Sequence, residues 1–297
     1  MDDGILVLQE SNLSETHGGG RQKWSRQCFE EGYGNEDPYF DHLEHARRSG
    51  IPEFAEKYRY ERVKGWILRE FRSAPGNLFL DAGTGAGFLP YQIREKYPER
   101  SFRFVGTDIS EQHLRSLAIR SRDENPRFAL PMVADLENLP FPDATFDGVT
   151  CSEVIEHVYD KRRAMREMAR VLKPGGVLLL TTPRRVMVDF WKLVCALPRR
   201  LYRGFHGKGW GAPPKPDVYD SPISSGRLLH LAQQSGLAIR ELTTVVCLPH
   251  ESYLQFIPTG LLRAWVGAAT LAEQMGWGSL FGLHSRLRAR KPGRGRQ

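Results

Sequence analysis

Three glycines at alternate positions are candidates for ligand binding in the stretch LFLDAGTGAGFLP, residues 78–90. Gly83, Gly85 and Gly87 follow a short apolar run that ends in Asp81. Glycine permits a tight turn and lets the backbone approach a ligand without an intervening side chain. A turn of this kind after a strand suits a nicotinamide cofactor, a flavin or simple close packing of strand on helix. The glycines alone leave all three open.

The spacing of the glycines argues against a bound pyrophosphate. A dinucleotide-binding turn has the pattern GxGxxG and brings a pyrophosphate to a helix N-terminus. Here the glycines fall at 83, 85 and 87, and an aspartate stands two residues before the first. A carboxylate in that place is unfavourable for a phosphate, but it suits a ligand with an amino group, which can make charge-assisted hydrogen bonds to it or to water that it orients.

Two further acids follow later apolar runs. Asp108, in VGTDIS, lies 27 residues after Asp81, where a carboxylate can accept both hydroxyls of a ribose. That role is common to nicotinamide and adenosyl ligands. Asp135 and Leu136 end another short run, where they can face the exocyclic amine and the ring of an adenine. Together the three acids favour an adenosyl ligand that carries an amino group.

Four motifs in order carry a family resemblance: LDAGTGAG, GTDIS, ADLENLPFPDATFDGVTCSEVIEHV and RVLKPGGVLLLTTP. The set resembles the class I S-adenosylmethionine-dependent methyltransferases, in particular the small-molecule branch that includes quinone-biosynthesis methyltransferases. The resemblance covers residues 60–183 closely and residues 220–291 more loosely. It implies S-adenosyl-L-methionine as cofactor and a small molecule as substrate, and it says little about which substrate.

The resemblance also implies roles for single residues. Asp81, Gly83 and Gly85 would line the methionine end of the cofactor, in a turn that Thr84 and Gly87 complete. Asp108 would hold the ribose and Ile109 would pack on the adenine. Asp135 and Leu136 would bind the adenine edge. Ser152 and Glu153, after the fourth strand, would face the methionine moiety.

His157, in EVIEHV, is the candidate catalytic residue. A sulfonium supplies an activated methyl group, so the protein must align the acceptor and, for a hydroxyl, remove its proton. The ordinary pKa of histidine, near 6.5, suits that task. We therefore expect O-methylation with His157 as base, while a purely structural role for His157, and C- or N-methylation of a lipid, sugar or polyketide-type metabolite, remain alternatives.

Short apolar runs alternate with helical patterns through most of the chain. Strands are predicted at 78–81, 102–108, 132–135, 146–151, 177–182, 237–247 and 279–290, and helices at 52–71, 86–97, 110–122, 160–172, 224–235 and 258–275. This alternation predicts an α/β fold with helices on both faces of a mainly parallel sheet. The resemblance makes it a Rossmann-like sheet of seven strands in the order 3-2-1-4-5-7-6, with the closing strand antiparallel.

A proline-rich and basic segment, residues 184–222, interrupts this alternation and is predicted to be a cap inserted after the fifth strand. Because it leaves the carboxyl edge of the sheet, it is expected to cover the substrate pocket. Its apolar side, with aromatic residues beside arginines, suits three roles: a helix packed on the domain, a lid for an apolar or anionic substrate, or peripheral contact with acidic lipid headgroups.

The formal charge of +7 is concentrated in two places. Residues 184–215 contribute +7 and residues 284–297 contribute +6, which leaves −6 for the remainder of the chain. A nucleic-acid-binding protein would need basic residues throughout the folded body, so nucleic acid is not expected as a partner. We expect a partly disordered leader at 1–50, a methyltransferase domain at 51–291 and a basic tail at 292–297.

Other features of the sequence set broader limits. The acidic start and the lack of a long apolar stretch give no sign of export or of a membrane span. The four cysteines form no CxxC pair, which indicates reduced thiols and a cytoplasmic location, and no metal-binding cluster is apparent. The oligomeric state is left open.

Three other classes of protein were considered. A nicotinamide-dependent oxidoreductase is disfavoured by Asp81, by the 83/85/87 spacing and by the KPGG turn. A non-catalytic module that binds S-adenosylmethionine is disfavoured by the full set of cofactor residues. Methylation of RNA or protein is less favoured, since CSEVIEH stands where amino-group methyltransferases carry an Asn-Pro or Asp-Pro signature.

Overall fold

The computed structural model describes residues 6–7, 53–124, 128–186, 188–190, 193, 221–245, 258–277 and 282–293. These residues form one sheet between two layers of helices. The strands, in chain order, are β1 Leu6–Val7, β2 Leu78–Ala82, β3 Arg103–Asp108, β4 Ala129–Val133, β5 Phe146–Ser152, β6 Leu172–Pro183, β7 Ala238–Val245 and β8 His284–Arg290. The helices are α1 Glu53–Glu70, α2 Phe88–Lys96, α3 Glu111–Glu124, α4 Lys161–Val171, α5 Ser225–Gln234 and α6 Thr259–Gln274.

The sheet has the order β1-β4-β3-β2-β5-β6-β8-β7. The strands from β1 to β6 pair in parallel, and β8 pairs antiparallel with both β6 and β7. Apart from β1, this is the predicted order 3-2-1-4-5-7-6 with an antiparallel closing strand, and the prediction is confirmed. The strand β1 falls in the predicted leader, where it pairs with β4 at Met132 and Val133.

The two faces of the sheet bury different sets of side chains because successive residues of a strand point in opposite directions. Phe79 contributes to an aromatic-rich layer under α1, α2 and α3, together with Phe71 and Phe104. Its neighbour Leu80 contributes to the opposite layer, which contains Met165 of α4. Helices therefore cover both faces, as parallel sheets require.

Several predicted boundaries differ from the structure, and the closing strand predicted from 279 begins at His284. The third predicted strand, at 132–135, is β4 and spans Ala129–Val133. Pro131 made residues 129–131 look unlike a strand, since proline has no N–H for the ladder. Among the described residues, β1 pairs with β4 at Met132 and Val133, beyond Pro131, so that pairing does not need the missing N–H. The KPGG stretch is not a separate turn but the start of β6, where the register shifts opposite Phe146 and Gly148.

Two predicted helix starts agree closely with the structure. Ser110 Oγ accepts a hydrogen bond from the His113 N–H before α3, at 3.3 Å. Asp160 Oδ1 accepts from the N–H groups of Arg162 and Arg163 before α4, both at 3.0 Å. These N-caps fix where the two helices leave the carboxyl edge of the sheet.

The inserted segment begins where β6 ends. An isolated parallel bridge joins Arg184 to Ile223, so both ends of the predicted cap meet at the carboxyl edge of the sheet. Phe190 and Leu193 within it are exposed. Its remaining predicted apolar and basic residues lie largely outside the described residues: Trp191, Val194, Leu197, Arg199, Arg200, Leu201 and Arg203.

Candidate functional site

The glycine turn lies at the carboxyl end of β2 and is hydrogen-bonded to the end of β3. The N–H groups of Gly83 and Thr84 both donate to Thr107 O, at 2.7 and 2.9 Å. Gly83, Gly85 and Gly87 have φ angles of +76°, +54° and +81°, in the left-handed region that glycine adopts most easily. The turn therefore depends on glycine for its backbone path.

The three glycines differ in what surrounds them. A Cβ at Gly83 would lie 2.3 Å from Val154 Cγ2, and one at Gly87 would lie 2.4 Å from Leu117 Cδ1. A Cβ at Gly85 would meet nothing within 4 Å. Gly83 and Gly87 thus permit close packing within the protein, whereas Gly85 exposes its backbone to open space that a ligand can fill.

Asp81 is buried directly beneath this turn, with 3% of its surface exposed. Its carboxylate accepts hydrogen bonds from Thr84 Oγ1 at 2.7 Å and from Thr150 Oγ1 at 2.6 Å. Burial raises the pKa of Asp81, and the two hydroxyl hydrogen bonds partly oppose that rise. Asp81 therefore braces the turn from within, and its contact with a ligand ammonium stays a prediction.

Asp108 joins the ends of neighbouring strands. Its Oδ2 accepts the Gly85 N–H and its Oδ1 accepts the Ser110 N–H, both at 3.0 Å, while its backbone O accepts the Ala134 N–H. Ile109, beside it, is half-buried. The carboxylate predicted to hold a ribose is thus fixed within hydrogen-bond distance of the open glycine.

Asp135 and Leu136 follow β4 in a loop rather than ending a strand. Asp135 Oδ1 accepts the Glu137 N–H at 2.8 Å, which closes a local turn. Leu136 is buried in the hydrophobic layer that includes Met165. The structure places both on the same edge as Asp108, and their contact with an adenine remains a prediction.

Ser152 and Glu153 end β5 on the other side of β2. Ser152 Oγ lies 3.1 Å from Thr181 Oγ1, and the Glu153 N–H donates to Thr181 O at 3.0 Å. Glu153 has a φ of +58°, an uncommon conformation for a residue with a side chain. Its Oε2 lies 2.9 Å from Nε2 of His284 at the start of β8. This contact holds the Glu153 side chain on a strained backbone, and strained backbone concentrates at functional sites.

His157 lies in a single 3-10 turn, Ile155–His157, that follows β5. Its N–H donates to Val154 O at 2.9 Å, and the residue is half-buried. The neighbouring Glu156 is buried and accepts Thr182 Oγ1 at 2.9 Å, and its backbone O accepts the Ser221 N–H at 3.0 Å. The turn that carries the candidate base is therefore held by β6 and by the end of the insert.

Three side chains that shape this edge were not predicted from the sequence: Thr150, Glu156 and His284. Thr150 lies opposite Asp81 in the register of β5 on β2, so only the sheet pairing could have identified it. Glu156 stands in the quoted motif, but nothing local marks it as buried. His284 lies far along the chain, where a closing strand was predicted without a site residue.

The described part of the chain has neither a cluster of metal-ligating side chains nor a helix that could span a membrane. There, no three or more His, Cys, Asp or Glu side chains come together in a way that could hold a metal ion. Within the same residues, no helix is both long enough and apolar enough to cross a bilayer.

Comparison with known proteins agrees with this geometry. Residues 80–180 match the model of a family described as a methyltransferase domain. That stretch contains the glycine turn, the acids on three strand ends and the turn with His157. The family uses S-adenosyl-L-methionine.

Two curated relatives show the range of named activities. A ubiquinone/menaquinone biosynthesis C-methyltransferase of Geotalea daltonii is 30% identical over 155 residues, which cover 50% of this chain and 62% of that protein. A ubiquinone biosynthesis O-methyltransferase of Idiomarina loihiensis is 30% identical over 173 residues, which cover 58% of this chain and 66% of that protein. Each alignment spans less than two thirds of the relative's own length.

A solved structure supports the fold. Phosphoethanolamine N-methyltransferase 2 of Haemonchus contortus, in complex with S-adenosyl-L-methionine, superposes with a TM-score of 0.51 at 17% identity. The match covers 85% of this chain and 60% of that one. At this identity the likeness concerns architecture alone.

Proposed function

We propose that this chain, whose residues 80–180 belong to the methyltransferase domain family, is an S-adenosylmethionine-dependent methyltransferase acting on a small molecule. The observation that carries the proposal is the open left-handed turn at Gly85, whose N–H is held by Asp108 above the buried Asp81. This is a place where a ligand can approach bare backbone between carboxylates of neighbouring strands.

The residues of this edge fit the two ends of the cofactor. Asp108 would accept ribose hydroxyls, and Ile109, Asp135 and Leu136 would lie beside the adenine. The turn at 83–87, with Ser152 and Glu153, would hold the amino-acid end, which carries an ammonium group. The bound cofactor supplies an activated methyl group, so this chain's remaining tasks are to orient the acceptor and manage its proton.

We further propose O-methylation, with His157 taking a proton from an acceptor hydroxyl. Two features support this: the position of His157 just beyond β5 and the hydrogen bonds that fix its turn. The relatives' names include both a C- and an O-methyltransferase, so C-methylation is the second candidate. An acidic C–H acceptor would also need a base at this place.

Calorimetric titration with S-adenosylhomocysteine tests cofactor binding, and two glycine variants make it specific. Gly85→Ala and Gly175→Ala each place a side chain at a positive φ, with nothing within 4 Å of the new Cβ. Both should lose about 1 kcal/mol of stability. Only Gly85→Ala should weaken S-adenosylhomocysteine binding, by about tenfold or more. Absence of binding by the folded wild-type chain would overturn the proposal, and NAD⁺ titrated in its place tests the oxidoreductase alternative.

The role of His157 is tested by the pH dependence of methyl transfer. With a labelled methyl donor and a panel of phenolic and quinol acceptors, wild-type activity should rise with pH, because a base must lose its own proton before it can take one from the acceptor. His157→Gln should lose that rise while keeping S-adenosylhomocysteine affinity. If the variant retains both the rate and the pH profile, the base is another group. Absence of transfer to every acceptor, despite cofactor binding, would favour the non-catalytic module.

A further inference from the structure

A cavity separate from the predicted cofactor residues lies beside the turn that carries His157. Its volume is about 590 Å³, within the range of pockets that hold small organic ligands. None of the residues predicted to bind the cofactor lines it. The lining residues come from the start of α4, the start of the insert and the return of the insert into α5: Tyr159, Asp160, Lys161, Arg162, Arg185, Ser221, Pro222, Ile223, Ser224, Arg227 and Leu231.

The lining is strongly basic. Among the described residues of the lining there are four cations, on Lys161, Arg162, Arg185 and Arg227, and one acid, Asp160. The Asp160 carboxylate already accepts two N–H groups of α4 as its N-cap. Only Arg185 belongs to the basic insert, and the other three cations lie in the part of the chain that is net acidic as a whole.

The charges are accessible to a ligand. Arg162, Arg185 and Arg227 are exposed. Arg185 makes a salt bridge with Asp189 at 3.8 Å between two largely exposed side chains, and such surface pairs are weak. The Lys161 ammonium, by contrast, donates to the backbone O of Glu156 and of Val158, which ties it to the turn that carries His157.

The floor of the cavity is apolar. Ile223 and Leu231 are buried, with 4% and 1% of their surface exposed, and Pro222 adjoins them. Hydroxyl groups of Tyr159, Ser221 and Ser224 stand among the cations. Such a lining suits an apolar molecule with an anionic end. The apolar part would contact the apolar side chains, and the anionic end would accept hydrogen bonds from the arginines.

We propose that this cavity holds the anionic end of the methyl acceptor, a carboxylate or phosphate attached to an apolar body. The inference rests on the proposed function, since it names the substrate class of the same enzyme. The Ser221 N–H bound to Glu156 O joins the cavity to the turn of the candidate base. An acceptor anchored by Arg185 and Arg227 would thus place its far end near His157.

The test uses hexyl phosphate as the probe, titrated calorimetrically into the full chain saturated with S-adenosylhomocysteine. Hexyl phosphate should bind, and hexanol should bind much more weakly. The variant Arg185→Gln/Arg227→Gln should weaken hexyl phosphate binding about tenfold or more. The control Arg163→Gln removes an exposed charge from the same helix outside the cavity, and it should leave the affinity unchanged. Loss of affinity in the control, or none in the double variant, would overturn the inference.

The failures of the two proposals are distinguishable. If S-adenosylhomocysteine binds but hexyl phosphate does not, the anion site fails while the proposed function stands. If hexyl phosphate binds through the two arginines but S-adenosylhomocysteine never binds, the methyltransferase proposal fails and the anion site is supported. Sedimentation with phosphatidylglycerol vesicles separates a free ligand from a lipid surface: arginine-dependent binding to vesicles, without binding of hexyl phosphate, would contradict a small-molecule site.

Discussion

The candidate site has two parts that are held together differently. The glycine edge, residues 81–87 and 108–110, is held by contacts within its own turns and with the neighbouring strand, such as those of Thr84 with Asp81 and of Gly85 with Asp108, which are 3 and 23 residues apart. The insert edge, residues 152–161, 181–184, 221–224 and 284, is held by contacts between distant segments. His284 Nε2 contacts Glu153 Oε2, and the Ser221 N–H donates to the backbone O of Glu156.

The two edges also differ in the charge they offer a ligand. At the glycine edge, carboxylates accept from hydroxyl and backbone N–H groups, which suits a ligand that brings hydroxyls and an ammonium. At the insert edge, Glu153 meets His284, and arginines line the adjoining cavity. Under the two proposals made above, the glycine edge would receive the cofactor and the insert edge an anionic acceptor.

The largest effect is expected at the glycine that joins the two edges. Gly83→Ala would place a Cβ 2.3 Å from Val154 in a left-handed backbone, and the clash and the strain together should cost about 3 kcal/mol. Urea unfolding measures the loss, with Gly175→Ala as the matched control. Equal losses in the two variants would mean that Val154 moves aside without cost.

A smaller effect is expected beneath the turn. Thr150→Val should cost about 2 kcal/mol because it removes a hydroxyl donor from the buried Asp81 carboxylate, and Thr150→Ser should restore most of it. Since burial already raises the pKa of Asp81, the fold favours the protonated acid. The deficit of Thr150→Val should therefore grow as pH rises and shrink as pH falls toward the ordinary range of aspartate. Unfolding at several pH values measures this, and a deficit independent of pH would exclude the carboxylate as its cause.

At the insert edge, the contact between Glu153 Oε2 and His284 Nε2 should contribute about 1 to 2 kcal/mol, since both side chains are partly shielded from solvent. A double-mutant cycle with Glu153→Gln and His284→Asn measures the coupling in unfolding and in S-adenosylhomocysteine affinity. We expect His284→Asn to weaken cofactor binding through Glu153, with little further loss in the double variant. Additive effects would show that the two side chains act separately.

The smallest effect is expected at the opposite end of the sheet. There, burial alone would raise the pKa of Asp147, but the Lys173 ammonium and the N–H groups of Leu78 and Asn77 bring it below the ordinary value. Asp147→Asn should cost about 1 kcal/mol, because Lys173 is well exposed. A carboxyl group whose pKa is lowered by folding stabilises the fold at pH values above its pKa in the unfolded chain. That stabilisation is lost as pH falls through its pKa in the folded protein.

The difference between Asp147→Asn and wild type should therefore be full at neutral pH, begin to shrink as pH falls below about 4, and vanish once pH is below the lowered pKa of Asp147. Cofactor affinity should not change, so this variant serves as a control for both edges. A change in S-adenosylhomocysteine binding would mean that the amino end of the sheet is coupled to the site.

Much of the fold was predictable from the sequence, because buried parallel strands are continuous apolar runs and helices repeat at their own period. The errors have local causes. Pro131 made β4 look shorter than it is, and the glycines of KPGG resembled a turn although they form the irregular start of β6. The short strand Leu6–Val7 pairs with β4, and nothing in these two residues indicates that pairing.

The sequence by itself determined the glycine turn and the acids that follow consecutive strands, because each is a local pattern, while the sheet order was implied by the family resemblance that the four motifs carry. The tertiary structure alone decided that Thr150 lies under Asp81, that His284 meets Glu153 and that arginines from two segments surround a common cavity. Those contacts depend on strand register and on where the insert returns, and a linear pattern carries neither.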